Sequence, residues 1–138
     1  MGSERRIRDG RSVIPCANWE AVKEALGYMP VLPAAWPADA GVTSIGVVDG
    51  SILEVVYVVG KETYIYRTAE GSDDLSASAK TYAFTTTETV DEISRTYSGV
   101  TDKVFTQAVW AANGHSYAIL AESGVDADEM RVLAESIL

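Results

Sequence analysis

The sequence predicts an α+β fold: an antiparallel meander sheet of about six or seven strands, with an N-terminal and a C-terminal helix packed on one face. Three observations carry this expectation. The stretch Ile45 to Thr68 reads as three consecutive strands separated by two turn dipeptides, Asp49-Gly50 and Gly60-Lys61. Asn113-Gly114 is a further hairpin turn between two strand-like runs. Helical periodicity occurs at the two ends, in Trp19 to Leu26 and in Asp126 to Leu138.

Length and charge bound the problem. A chain of 138 residues is the size of one domain and can bury roughly two-thirds of its unfolded surface without disulfide or metal support. The domain is expected over residues 14–138, behind a flexible arm or linker remnant at residues 1–13. No run of 18 apolar residues is present, so no membrane-spanning helix is expected. The formal charge is −9, unevenly placed. Arg5, Arg6, Arg8 and Arg11 crowd the start, whereas seven basic residues face eighteen acidic ones from residue 12 onward. An acidic body repels phosphate, which argues against nucleic acid as a partner. Cys16 is the single cysteine, so no internal disulfide forms, and this leaves the compartment open. Met1-Gly2-Ser3 resembles an added start. No signal peptide is visible, so an exported protein would have lost it.

Taken in order, residues 1 to 13 lack apolar periodicity and are rich in glycine, serine and arginine, which predicts the arm. Asn18 opens the first helix, because its side chain can accept from an otherwise unpaired N–H. Trp19, Val22, Ala25 and Leu26 form the apolar stripe, and Gly27 ends it. Pro30, Pro33 and Pro37 exclude a helix or central strand in the next stretch. It is expected to be an extended strap that lays Val31, Leu32 and Trp36 over one end of the sheet.

A two-residue Gly60-Lys61 loop fixes a register. Val59 faces Glu62, Tyr57 faces Tyr64, Val55 faces Tyr66 and Glu54 faces Arg67. One face then carries Leu53, Val55, Tyr57, Tyr64 and Tyr66, and is the expected core face. The other carries Glu54, Val56, Thr63, Ile65 and Arg67. As a cross-strand pair there, Glu54 and Arg67 would contribute roughly a few tenths of a kcal/mol.

Ala69 to Lys80 is a polar loop with two aspartates and three serines. Loops of this length often carry function, so Glu70, Asp73, Asp74 and Ser76 are the candidate binding residues. A strand follows from Tyr82 to Val90, turning at Asp91-Glu92 into Ile93 to Ser98. A loop at Gly99 to Asp102 leads to the strand Lys103 to Ala112. Across the Asn113-Gly114 turn, Trp110 should face Tyr117 and Ala108 should face Ile119, an aromatic pair worth up to about 1 kcal/mol. Asp126 caps the last helix, with Glu129 completing a capping-box-like arrangement. Met130, Leu133, Ala134, Ile137 and Leu138 share the face expected to lie on the sheet. Asp126, Asp128 and Glu129 suit the positive end of the helix dipole.

Catalytic chemistry is not indicated. His115 is the only histidine and sits at a hairpin tip, where it is expected to be solvated. A Cys16–His115 nucleophilic pair would need an orienting third group, and none is suggested by position. Too few His and Cys are present for a transition-metal site. Glu70, Asp73 and Asp74 could offer oxygens to Ca²⁺ but lack the twelve-residue loop pattern, so they read as a solvated acidic loop. No phosphate-binding glycine motif and no G-x-S-x-G occurs, and no two carboxylates stand out as a glycosidase pair. No catalytic, cofactor or metal residue is therefore assigned, and the tyrosines, Phe84 and Trp110 read as sheet packing.

These segments together resemble a bacterial domain family of unknown function. The resemblance rests on Ala25-Leu26-Gly27 with Leu32-Pro33, on Tyr66-Arg67-Thr68-Ala69-Glu70-Gly71, on the hairpin from Trp110 to Tyr117, and on the acid-capped helix from Asp126 to Leu138. It spans about residues 15 to 138. Ser76-Ala77-Ser78-Ala79 departs from it, since the family often has glycine and asparagine there. The family's domain forms the C-terminal, extracytoplasmic end of lipoproteins and of single-pass, anti-sigma-factor-like membrane proteins, mainly in Gram-positive bacteria. The resemblance thus implies a place outside the cytoplasmic membrane, tethered by an upstream anchor. It carries no catalytic residues across.

Three functions follow in order of preference: a non-catalytic binding or sensing module for a protein, peptide or envelope ligand; a passive structural or interaction domain of a longer envelope protein; and a carboxylate-based hydrolase. An exposed apolar cleft would favour the first, a featureless surface the second, and two carboxyls about 5 to 9 Å apart in a cleft the third.

Overall fold

Backbone pairing between tight turns organises this chain. The computed structural model describes residues 6–8, 11–30, 41–48, 50–71 and 82–136. Among them are strands β1 (Arg6–Arg8), β2 (Arg11–Pro15), β3 (Gly41–Val48), β4 (Ile52–Val59), β5 (Glu62–Glu70), β6 (Phe84–Val90), β7 (Ile93–Thr101), β8 (Val104–Ala112) and β9 (His115–Asp126). Helices α1 (Trp19–Leu26) and α2 (Ala127–Glu135) complete the set. All neighbouring strands are antiparallel, in the spatial order β1-β2-β3-β4-β5-β9-β8-β7-β6. Two meanders, β1 to β5 and β6 to β9, are thus joined along β5 and β9.

The strands expected from sequence correspond to β3 through β9. Two short strands add to one edge, within the stretch expected to be a flexible arm: Arg6 pairs with Val13, and Val13 with Val48. Edge pairing uses backbone N–H and C=O groups, so it needs no apolar periodicity and leaves no such signal in the sequence.

The predicted registers hold. Val59 faces Glu62, Tyr57 faces Tyr64, Val55 faces Tyr66 and Glu54 faces Arg67. Trp110 faces Tyr117 and Ala108 faces Ile119. At the Asn113-Gly114 turn both residues have positive φ, 53° and 77°, the geometry whose twist matches the flanking strands. Asp49 of the first turn dipeptide lies outside the described residues, as do the strap residues Val31, Leu32 and Trp36.

The expected loop at Gly99 to Asp102 is corrected. β7 runs on to Thr101, with Gly99 opposite Phe105 and irregular register on either side. A Cβ at Gly99 would lie 2.1 Å from the Val104 carbonyl oxygen. Gly99 marks a close backbone approach inside a bulged strand, and Asp102-Lys103 makes the turn.

Both helices start on the expected caps. The Asn18 side chain accepts from the Ala21 N–H at 2.9 Å, and Asp126 accepts from the Asp128 N–H at 2.9 Å. α2 is also pinned by Arg131, whose Nε and Nη2 donate to the Glu88 carboxylate of β6 at 2.9 and 2.8 Å. The same guanidinium lies 5.1 Å from the Phe105 ring centroid, so it covers apolar surface as well as pairing charge.

Leu53, Val55, Tyr57, Tyr64 and Tyr66 are all buried, as the period-two pattern requires. Tyr97, Phe105, Trp110, Tyr117 and Ile119 extend this cluster across the sheet. Val22 of α1 and Ala127, Met130, Leu133 and Ala134 of α2 belong to the same cluster. Ile137 and Leu138, expected on the α2 face, lie outside the described residues.

The opposite face departs from expectation. Glu54 and Arg67 are 4 % and 6 % exposed, and the Arg67 Nε and Nη2 each lie 2.9 Å from Glu54 Oε2. A surface pair worth a few tenths of a kcal/mol is replaced by a buried ion pair. Its partners are desolvated, so each depends on the other far more strongly. Ala118 and Ser116 on β9, at 0 % and 1 % exposed, are buried with it.

Candidate functional site

The junction of the two meanders builds a small enclosed site. At one end of the β5–β9 pair, Thr68 faces Tyr117, Ala69 faces Ser116 and Glu70 faces His115. The segment leaving β5 is fastened there. The Gly71 N–H donates to the Gly114 carbonyl at 2.8 Å, and the Ser116 hydroxyl donates to the Gly71 carbonyl at 2.7 Å. The Thr68 hydroxyl donates to the Ser116 carbonyl at 3.0 Å. Three bonds thus tie the start of the polar loop to the β8–β9 hairpin.

Tyr28 reaches this end from α1. The Gly27 N–H donates to the Lys23 carbonyl at 2.7 Å, and Gly27 adopts a left-handed conformation (φ 87°), which turns the chain off the helix. The Tyr28 ring then meets the His115 imidazole edge-on, with centroids 5.5 Å apart and planes at 66°. Tyr28, Met29, Pro30, Thr68, His115 and Tyr117 line a pocket of about 100 Å³. The Tyr28 hydroxyl oxygen is buried and has no hydrogen-bond partner among the described residues. An unpaired buried hydroxyl costs about 1–3 kcal/mol, so an unused polar valence lies beside the pocket.

His115 is not the solvated tip residue expected from sequence. It is half-buried, and its Nδ1 lies 3.2 Å from the Asn113 carbonyl. A carbonyl can only accept, so this contact places a proton on Nδ1 and leaves Nε2 as an acceptor in the neutral ring. Burial pushes the Tyr28 phenol upward, and the Glu70 carboxylate and then Tyr117 push it the same way. Burial also raises Tyr117. Both phenols therefore keep their protons at neutral pH. Beyond His115, a shallower hollow of about 390 Å³ is lined by Gly71, Ala111, Ala112, Gly114 and His115.

A cross-strand row runs inward from this site. Tyr117 pairs with Trp110, their rings stacked at 5.2 Å and 16°. Trp110 pairs with Arg95, whose guanidinium lies 5.3 Å from the indole centroid. Arg95 is 3 % exposed, and its Nε has no partner among the described residues.

Of the four residues singled out from sequence, Glu70 ends β5 exposed and opposite His115, but it is not among the residues that line the pocket. Asp73, Asp74 and Ser76 lie outside the described residues. The sequence gives no signal for Tyr28 within the expected strap, and it marks His115 only as the lone histidine of a hairpin tip. Their meeting needs β9 beside β5, and no spacing along the chain reports that pairing.

Other chemistry finds little support. The Cys16 backbone N–H donates to the Ile45 carbonyl at 2.9 Å, and burial raises its thiol, the wrong direction for a nucleophile. No group of three His, Cys, Asp or Glu among the described residues could hold a metal. At the opposite end of the sheet, a groove of about 320 Å³ is lined by Val59, Tyr64, Val132 and Leu133 together with Asp126, Asp128 and Glu129. There Asp126 caps α2 and Asp128 pairs with Arg131 at 3.0 Å. No helix among the described residues is long and apolar enough to cross a membrane. No protein-family model, curated protein or solved structure matches the chain.

Proposed function

We propose that this chain is a non-catalytic binding or sensing module, carried outside the cytoplasmic membrane by a longer, membrane-tethered bacterial protein. The ligand enters the pocket between Tyr28, His115 and Tyr117. Both helices rest on the tyrosine face, and α1 sets the position of Tyr28.

One observation carries the reading: the Tyr28 hydroxyl is buried without a partner among the described residues, beside a pocket in which the Thr68 hydroxyl and His115 Nδ1 already meet backbone carbonyls. Packing alone would be served better by phenylalanine at that position. A hydroxyl kept without a partner suits a group that arrives from outside. The extracytoplasmic location rests on the sequence resemblance.

A thermal-shift screen of the purified chain against peptidoglycan fragments, sugars, peptides and small polar compounds tests the reading. A ligand that binds only the folded state raises the midpoint in a concentration-dependent way. The expected result is a rise with one chemical class that Tyr28→Phe abolishes without lowering the unliganded midpoint. A screen in which no compound raises the midpoint, or in which Tyr28→Phe leaves every rise intact, would overturn the pocket assignment.

A further inference from the structure

We propose that two copies of this chain join edge to edge through β6, as antiparallel strands paired about Thr87. This contact is independent of the pocket. Among the described residues the sheet ends at β1 on one side and at β6 on the other. Natural edges discourage strand addition by being short, charged, bulged or proline-bearing. β1 is protected in this way, with three residues of which two are Arg6 and Arg8. β6 is not. Its seven residues, Phe84 to Val90, pair with β7 in one unbroken register. It contains no proline, lysine or arginine. Its one charge, Glu88, is taken up by Arg131, which holds the carboxylate through two hydrogen bonds.

Strand geometry assigns the groups on the free edge. The Asp91-Glu92 turn has positive φ at both residues, 51° and 67°, so it closes on Val90 and Ile93 as a hydrogen-bonded pair. By alternation Glu88 and Thr86 also turn their backbone groups to β7, and Thr85, Thr87 and Thr89 turn theirs outward. The side chains agree. Thr85, Thr87 and Thr89 meet Ser98, Thr96 and Ser94 hydroxyl to hydroxyl at 3.3, 3.0 and 2.8 Å, as the closer, non-hydrogen-bonded pairs do. All three threonines are exposed. Their outward N–H groups have no hydrogen-bond partner among the described residues.

Self-pairing then selects one register. Outward groups must meet outward groups, so a one-residue slip loses the hydrogen bonds. Centred on Thr87, the strand sets Thr85 against Thr89 in both halves, and each threonine pair exchanges two N–H···O bonds. On the other face Phe84 meets Val90, which is 39 % exposed, and Thr86 meets Glu88. Centring on Glu88 would set two carboxylates against each other, and centring on Thr86 would set Phe84 against Glu88. Of the three, the Thr87 register joins apolar to apolar and keeps like charges apart. α2 packs over β8 and β9. With strands about 4.8 Å apart, β8 and its mate are separated by five spacings, about 24 Å, so the two copies of α2 clear each other. A pair of short strands is smaller than a standard interface, so a dissociation constant on the order of 100 µM is expected. The formal charge of −9 on each copy opposes association, and salt should therefore tighten the dimer.

Sedimentation equilibrium of the intact chain from about 10 µM to about 1 mM, in about 0.15 M salt, tests the proposal. A reversible monomer–dimer equilibrium is expected. Thr87→Lys should weaken it about fivefold, because two like charges then face each other at the two-fold axis. Thr87 is exposed, so the variant monomer should keep the circular dichroism and thermal midpoint of the parent. Cross-linking reads the register. The two Thr87 Cα atoms would lie about 5.5 Å apart, within disulfide range. The two Thr85 Cα atoms would be four residues of strand apart, about 14 Å, beyond that range. Thr87→Cys should therefore form a disulfide-linked dimer on mild oxidation, whereas Thr85→Cys and the parent, with Cys16 alone, should not. A chain that stays monomeric at about 1 mM overturns the proposal. So does a dimer that Thr87→Lys leaves intact, or cross-linking as efficient at position 85 as at position 87.

Discussion

Replacing Glu54 by alanine tests the buried ion pair on the face opposite the tyrosines. Glu54 and Arg67 are 4 % and 6 % exposed, so the substitution leaves a guanidinium in a desolvated site without this carboxylate. Breaking such a pair from one side costs about 3–5 kcal/mol, most of it the stranded charge rather than the lost attraction. The unfolding entropy of a 138-residue chain is about 0.3 kcal/mol/K, so the midpoint should fall by about 10–17 °C. Thermal and urea unfolding followed by circular dichroism measure both quantities. The double variant Glu54→Leu with Arg67→Met removes both charges while keeping volume, and should recover most of the loss. Salt at about 1 M should change the parent pair little, because buried charges are weakly screened. A loss below about 1 kcal/mol for Glu54→Ala, the value of an exposed pair, would refute the burial argument. So would a double variant as unstable as the single one.

Trp110→Ala empties a site between Tyr117 and Arg95 and should cost about 3–5 kcal/mol in urea unfolding; an unchanged midpoint would mean that the indole does not pack there. Gly99→Ala drives a methyl group against the Val104 carbonyl, and a loss of about 1–3 kcal/mol is expected, with amide exchange accelerating first at the β7–β8 bulge. Alkaline titration should reveal late-ionising tyrosines. Burial, then the Glu129 and Glu62 carboxylates, push Tyr64 up to about 12, and burial chiefly does the same to Tyr97. An unfolded phenol releases its proton near pH 10, so above that pH the unfolded state holds fewer protons than the folded one. Stability should therefore be fully present below about pH 10 and decline toward about pH 12, by up to about 1.4 kcal/mol per pH unit for each such tyrosine. Absorbance at the phenolate band that rises completely near pH 10 in the folded protein would contradict this.

Local rules accounted for much of what is seen. Each predicted register depended on a two-residue turn and a period-two pattern, both contained within about fifteen residues of chain. The helix starts at Asn18 and Asp126 likewise depended on one side chain and the N–H groups just beyond it. The tyrosine face was legible for the same reason, because Tyr57, Tyr64 and Tyr66 alternate in step with the pleat and all are buried.

What sequence alone determined, then, was the α+β class, the hairpin registers, the helix positions and the acidic charge of the body. Tertiary structure decided the rest. The β5–β9 pairing joins residues some fifty positions apart and depends on which sheet edges meet, a choice that leaves no periodic trace. That pairing puts Glu70 opposite His115 and lets Tyr28 close the pocket from a third element. It also changes how Glu54 and Arg67 act. Their register was readable, but their energetics turn on whether the second face is dry. Burial belongs to the whole surface of the fold, and pairing along one hairpin does not contain it.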